Sequence, residues 1–165
     1  MASLKSLAIL VTFVAATTAA SAQVSNPVKW SIQKAPATAR AGQTVTIQFA
    51  ARIDKGWHLY ALEQPSDGPI PTEISVGPAS HFTLDPKKID KPEPEKVNDE
   101  NFGVETHHYS GTVVFGLPVT IVANAPAGQQ EIEVSARFQA CSDKVCLRPT
   151  TVSQKTTVTV TAARK

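Results

Sequence analysis

The chain has 165 residues, of which 42% are hydrophobic, 18% charged and 6% aromatic; that is one domain's worth of chain and too apolar for wholesale disorder. Sixteen Lys and Arg against fourteen Asp and Glu give a net charge of +2 without a basic run, which argues against a nucleic-acid partner, whose footprint is a clustered basic patch. Two cysteines are too few for a disulfide-dense mini-scaffold or a four-cysteine zinc site.

Residues 1–22, MASLKSLAILVTFVAATTAASA, have the parts of an export signal. Lys5 is the short positive region, Leu7 to Ala16 the apolar region, and Ala20-Ser21-Ala22 the small-residue cleavage pattern. The apolar run is shorter than the roughly 20 residues of a membrane span. Cleavage after Ala22 is expected, leaving residues 23–165 as one domain in an oxidising compartment. No later stretch is apolar enough to enter a bilayer directly, so any membrane role is expected to go through a partner.

The rest reads as strands. A short strand is expected at 28–33. From Thr44 to Ile53, Val45, Ile47, Phe49, Ala51 and Ile53 alternate with polar residues, the period of a half-buried strand. Shorter strands are expected at 57–61, 73–76, 112–115 and 118–122. Residues 131–139 alternate again, with Ile132, Val134, Ala136 and Phe138 inward, and residues 156–161 do so with Val158 and Val160. Turn signals such as Asp54-Lys55-Gly56 and Ser66-Asp67-Gly68-Pro69 separate them. No helical stripe appears. The spacing predicts an all-β, antiparallel, immunoglobulin-like sandwich.

One stretch breaks the pattern. Residues 65–94 hold seven of the twelve prolines, and residues 85–105 hold seven of the fourteen acids. Proline lacks a ladder N–H, so central strands are not expected there. The stretch reads as a functional loop or a solvated linker.

Cys141 and Cys146 bracket four residues in Phe138-Gln139-Ala140-Cys141-Ser142-Asp143-Lys144-Val145-Cys146-Leu147-Arg148-Pro149. Extending the preceding alternation puts Cys141 on the polar face with Arg137 and Gln139, on an exposed edge. A four-residue hairpin loop brings opposed residues to about 4.5–5.5 Å at Cα, which a disulfide tolerates. Such a ring of about six residues stabilises by roughly 2 kcal/mol, against about 4.7 for a hundred-residue loop. So weak a staple suits exchange better than support, yet on spacing alone redox work, a structural disulfide and metal ligation all stay open. Lys144 and Arg148 favour a thiolate and Asp143 opposes it.

The remaining candidates carry less. His107 and His108 sit at the start of a further expected strand, where neighbours point to opposite faces, and are expected to be exposed, as is His81. Trp30 and Trp57 are expected at core edges. The only methionine is Met1, so a thioether copper site is disfavoured. No Gly-rich phosphate loop or hydrolase elbow appears, so a Ser-His-Asp hydrolase is a poor reading, and no cofactor is expected. A non-catalytic immunoglobulin-like binding module with a structural disulfide is the alternative from another class, and metal capture by the thiols with His58 or His107 a third.

The cysteine hairpin resembles the active-site hairpin of the N-terminal periplasmic domain of the thiol:disulfide interchange protein DsbD. Gly56-Trp57-His58-Leu59-Tyr60 resembles that domain's Gly-aromatic-x-Leu-Tyr element, Asp99-Glu100-Asn101-Phe102-Gly103 its cap loop, and Leu117-Pro118-Val119-Thr120-Ile121 a following strand. The resemblance implies a periplasmic thiol–disulfide interchange module, a protein-disulfide reductase component, on an immunoglobulin-like sandwich. It implies that Cys146 exchanges with partners, that Cys141 resolves, that Phe102 caps the disulfide, and that Asp99, Glu100, His58 and Tyr60 line the site. His58 stands where the family has a tyrosine. As a stand-alone version of the domain, the chain is expected to take electrons from a membrane thiol transporter or thioredoxin-like donor and pass them to a periplasmic disulfide isomerase or other thiol proteins.

Overall fold

The structure, a computed structural model, describes residues 26–100 and 102–163; the expected export signal, 1–22, lies outside the described residues. The chain runs through β1 (Val28–Lys34), β2 (Thr38–Arg40), β3 (Thr44–Ile53), β4 (His58–Tyr60), β5 (Glu73–Gly77) and β6 (Phe82–Leu84). A 3-10 turn at Pro86–Lys88 leads to β7 (Glu95–Asp99), β8 (Val104–Tyr109), β9 (Thr112–Ile121), β10 (Gly128–Phe138), β11 (Ala140–Cys141) and β12 (Thr150–Thr161). These form three sheets, ordered β1-β3-β9-β6, β2-β12-β10-β5 and β11-β4-β8-β7. Every strand pair is antiparallel except β2 with β12 at one edge of the second sheet. This is the all-β, immunoglobulin-like sandwich expected from the strand spacing.

Period-two alternation builds the core. Ile47, Phe49 and Ala51 of β3, Phe115 and Leu117 of β9, and Ile132, Val134, Ala136 and Phe138 of β10 have no solvent exposure. Each such large side chain contributes about 1.5–3 kcal/mol by leaving water. Trp30 of β1 stacks on Phe49 with ring centroids 4.8 Å apart and reaches Phe138 across the sandwich at 5.5 Å. It is thus a core residue that joins the first two sheets.

Two expected short strands, 112–115 and 118–122, are one long strand, β9, running through Gly116 and Pro118. The close approach of Asp90 explains the glycine: a Cβ at Gly116 would lie 3.1 Å from Asp90 Cβ, and the two backbones exchange hydrogen bonds at 2.8 and 2.9 Å. Gly116 donates toward β6, so Pro118, two residues on, turns its ring nitrogen to the same side. There the 3-10 turn interrupts the ladder between the Leu84–Val119 and Asp90–Gly116 pairs. A proline is tolerated in this central strand because no partner awaits its missing N–H.

The Pro- and acid-rich stretch is also more ordered than a linker: it holds β5, β6, the 3-10 turn and β7. The three strands lie at sheet edges, as the scarcity of ladder donors requires. The third sheet docks one face on the core through Leu59, Tyr109 and Ala140, with Tyr109 edge-on to Phe115 at 5.7 Å. Its other face carries the candidate site.

Candidate functional site

The cysteine pair sits where β10 gives way to the third sheet. Strand β10 ends at Phe138, and after Gln139 the chain pairs with β4, setting Ala140 opposite Leu59 and Cys141 opposite His58. Cys141 and Cys146 are an antiparallel pair with Cα atoms 4.1 Å apart, joined by a disulfide. Flanking bonds from Ser142 N–H to Val145 O and from Leu147 N–H to Ala140 O, both 2.9 Å, make this a non-hydrogen-bonded pair, the closer of the two antiparallel kinds. Ser142 shapes the loop, its Oγ accepting from the N–H groups of Lys144 and Val145 at 3.3 Å. The expected four-residue hairpin is therefore present.

Its exposure is not as expected. Cys141 lies on the face of the third sheet away from the core, as alternation requires, and β11 is that sheet's edge strand. Yet Cys141 has no solvent exposure, whereas Cys146 is half-buried. Alternation assigns a face. It carries no information about what packs over that face.

Alternation along β4 and β8 puts His58, Tyr60, Thr106 and His108 on the same face as Cys141. The Tyr60 hydroxyl, buried, donates to Asp99 Oδ2 at 2.7 Å. Burial first, then the hydrogen bond and charge of Asp99, push its ionisation far above the ordinary tyrosine range. Thr106 Oγ lies 3.5 Å from the same carboxylate oxygen and from Val97 O. The Asp99 carbonyl accepts from Phe102 N–H at 3.2 Å and Gly103 N–H at 2.7 Å, closing the β7–β8 turn, where Gly103 has φ +70°. Phe102 thus sits at the tip of a hairpin, half-buried, edge-on to Tyr60 with centroids 5.9 Å apart.

His58 is half-buried between Tyr60, at 5.2 Å, and His108, stacked at 4.6 Å. Its Nε2 is buried with no hydrogen-bond partner among the described residues. Burial chiefly, and then His108, hold its pKa below the ordinary histidine value, against Asp99 and Asp143, which raise it. His108 Nε2 lies 3.7 Å from Glu95 Oε2. A cleft of about 550 Å³ opens here, walled by Trp57, His58, Asp99, Glu100, His108 and Asp143 among others. Glu100 is exposed at its rim. Among the described residues, no three His, Cys, Asp or Glu side chains are grouped to hold a metal ion.

The structure thus gathers Cys141, His58, Tyr60, Asp99 and Phe102 around one face of one sheet, with Glu100 and Cys146 at its margins. Sequence reasoning missed His108, which is half-buried on His58 where exposure was expected, and Thr106. The signal was available, since Val104, Thr106 and His108 alternate along a strand whose other face carries Tyr109. Trp57 packs on the core and also walls the cleft.

The chain matches the family model described as thiol:disulfide interchange protein DsbD, N-terminal, over residues 28–158. Among solved structures it is similar to the DsbD N-terminal domain of Neisseria meningitidis in the reduced form. The identity is 18% and the TM-score 0.47, over 72% of this chain and 80% of that one. It is also similar to the N-terminal periplasmic domain of ScsB from Proteus mirabilis, at 17% identity and a TM-score of 0.49, over 78% of this chain and 44% of that one. No curated protein matches it.

Proposed function

The chain belongs to the family of the N-terminal domain of the thiol:disulfide interchange protein DsbD, and from that membership we propose that it passes electrons through the Cys141–Cys146 pair in the periplasm. Residues 1–22 are the cleaved export signal that takes residues 23–165 there. A membrane thiol transporter or thioredoxin-like protein is the donor, and a periplasmic disulfide isomerase or other thiol protein the acceptor. A partner thiolate attacks the sulfur of the half-buried residue Cys146, and the electron pair of the broken bond goes to Cys141. A second partner thiolate then resolves the mixed disulfide, leaving the pair reduced and the partner oxidised. Phe102, on the turn fastened to Asp99, is the cap that moves when a partner docks.

The observation that carries this reading is the unequal burial of two cysteines that close a ring of about six residues, too short to be much of a staple. Cys146 is the partly exposed residue of the pair, and Cys141 is held back to resolve. The test is the reduction potential against glutathione, expected in the oxidoreductase range of roughly −180 to −270 mV. A value well below about −300 mV marks an inert structural bond and ends the proposal. With Cys141→Ser, a mixed disulfide through Cys146 to a periplasmic thiol protein is expected.

A further inference from the structure

Resting on the exchange reading, a second question concerns the proton on the buried thiol. In the reduced form, Cys141 must give up a proton for its sulfur to attack. A sulfur without solvent exposure meets no bulk base and holds a thiolate poorly. The residue directly across the ladder from Cys141 is His58, and opposed residues carry their Cβ atoms about 4.5–5.5 Å apart on one face. His58 Nε2 is buried and has no hydrogen-bond partner among the described residues. With the ring proton on Nδ1, that nitrogen is an unused acceptor.

The neighbouring groups are otherwise engaged. The Tyr60 hydroxyl is committed to Asp99, and its ionisation is driven up by burial. His108 faces Glu95 at 3.7 Å. The charged or titratable groups facing His58 are His108 from β8, Asp99 from β7 and Asp143 from the cysteine loop, with Tyr60 on its own strand. Burial and His108 keep the imidazole neutral near pH 7, the form in which it can accept.

We propose that His58 is the proton acceptor for the resolving thiol Cys141. Once the Cys146 thiolate has attacked a partner disulfide, Cys146 is bonded to one partner sulfur. Cys141 S–H gives its proton to the imidazole as its sulfur attacks the Cys146 sulfur. The Cys141–Cys146 bond forms and the Cys146–partner bond breaks, its electron pair leaving on the partner sulfur as thiolate. The cysteine pair is oxidised by two electrons and the partner disulfide reduced by two. The imidazolium, facing Asp99 and Asp143, releases its proton to solvent in the cleft. Running the sequence backward, the same imidazolium protonates Cys141 as the disulfide opens.

The test follows the reduced protein mixed with oxidised glutathione, quenched by acid and resolved by mass from pH 6 to 9.5. Formation of the Cys146–glutathione mixed disulfide is expected to change less than about threefold in His58→Gln. Its resolution by Cys141 is expected to slow by about 100-fold at pH 7, the scale of general-base catalysis. The deficit should narrow as the pH rises toward about 9.5, above ordinary thiol ionisation, where hydroxide begins to replace the missing base. Equal resolution rates at pH 7, or a deficit unchanged at high pH, overturn the inference. The unsubstituted protein gives an independent check, a normal solvent deuterium isotope effect on the resolution step, and its absence overturns the inference as well. Failure of the unsubstituted protein to form any mixed disulfide instead removes the exchange reading on which the inference rests.

Discussion

The Tyr60 hydroxyl donates to the Asp99 carboxylate at 2.7 Å, with both residues buried on strands that flank β8. The same aspartate uses its backbone carbonyl to hold the turn that carries Phe102, and Phe102 returns its ring edge-on to Tyr60. Tyr60 is therefore joined to the turn twice, by a polar link through Asp99 and by an aromatic contact. Two residues along the strand, His58 faces Cys141. Contacts therefore run from the turn through Tyr60 to His58, the residue opposite Cys141.

Tyr60→Phe removes the hydroxyl that donates to the buried Asp99 carboxylate at 2.7 Å. The expected loss is about 1.5–3 kcal/mol, the value of a hydrogen bond to a charged group, measured by urea unfolding. A loss under about 0.5 kcal/mol would mean that Asp99 is equally well served without Tyr60.

Phe102→Ala removes the aromatic link and leaves the polar one through Asp99 in place. An aromatic pair contributes about 0.5–1.5 kcal/mol beyond its buried area, so the open population of the turn should rise roughly two- to tenfold. Reduction of the disulfide by dithiothreitol is expected to accelerate by a similar factor. An unchanged rate would take Phe102 out of the capping role.

The double substitution Cys141→Ser/Cys146→Ser separates a relay from a staple. Loss of the short ring should lower stability by only about 2 kcal/mol and abolish exchange with glutathione. A loss above about 4 kcal/mol, the scale of a long-loop bridge, would identify the bond as mainly structural.

His58 also gives stability a pH dependence of known sign. Its pKa is lowered in the folded protein, first by burial and then by His108, so below about pH 6.5 the unfolded chain binds more protons. The contribution of this residue is complete above that pH and is lost as the pH falls. Between pH 7 and pH 5, the urea midpoint is expected to fall further in the unsubstituted protein than in His58→Gln. Parallel declines would contradict the surroundings described for the imidazole.

Much of this protein was legible before its structure. The alternation of Thr44–Ile53 is strand β3 with its expected inward face, and Ile132, Val134, Ala136 and Phe138 are as buried as their spacing implies. These elements are readable because a strand with one buried face writes its period into the chain. The cysteine hairpin was legible for the same local reason, since four intervening residues suffice to oppose the pair. Other elements were hidden by composition. Pro118 divides a strand on paper, yet continues it in the sheet because a turn leaves the ladder open on that side. Proline and acidic residues likewise disguise β6 and β7, which lie at sheet edges, whereas β5 was expected at 73–76.

The sequence by itself determined which residues alternate, which two sulfurs meet, and the family to which they belong. Only the tertiary structure decided that Cys141 is buried, that His58 stacks on His108 with Nε2 lacking a hydrogen-bond partner among the described residues, and that Tyr60 finds Asp99. The physical reason is range: the direction of a side chain follows from the backbone within two or three residues, whereas its burial and partners depend on strands that arrive from 39 or more positions away, as the Tyr60–Asp99 bond does.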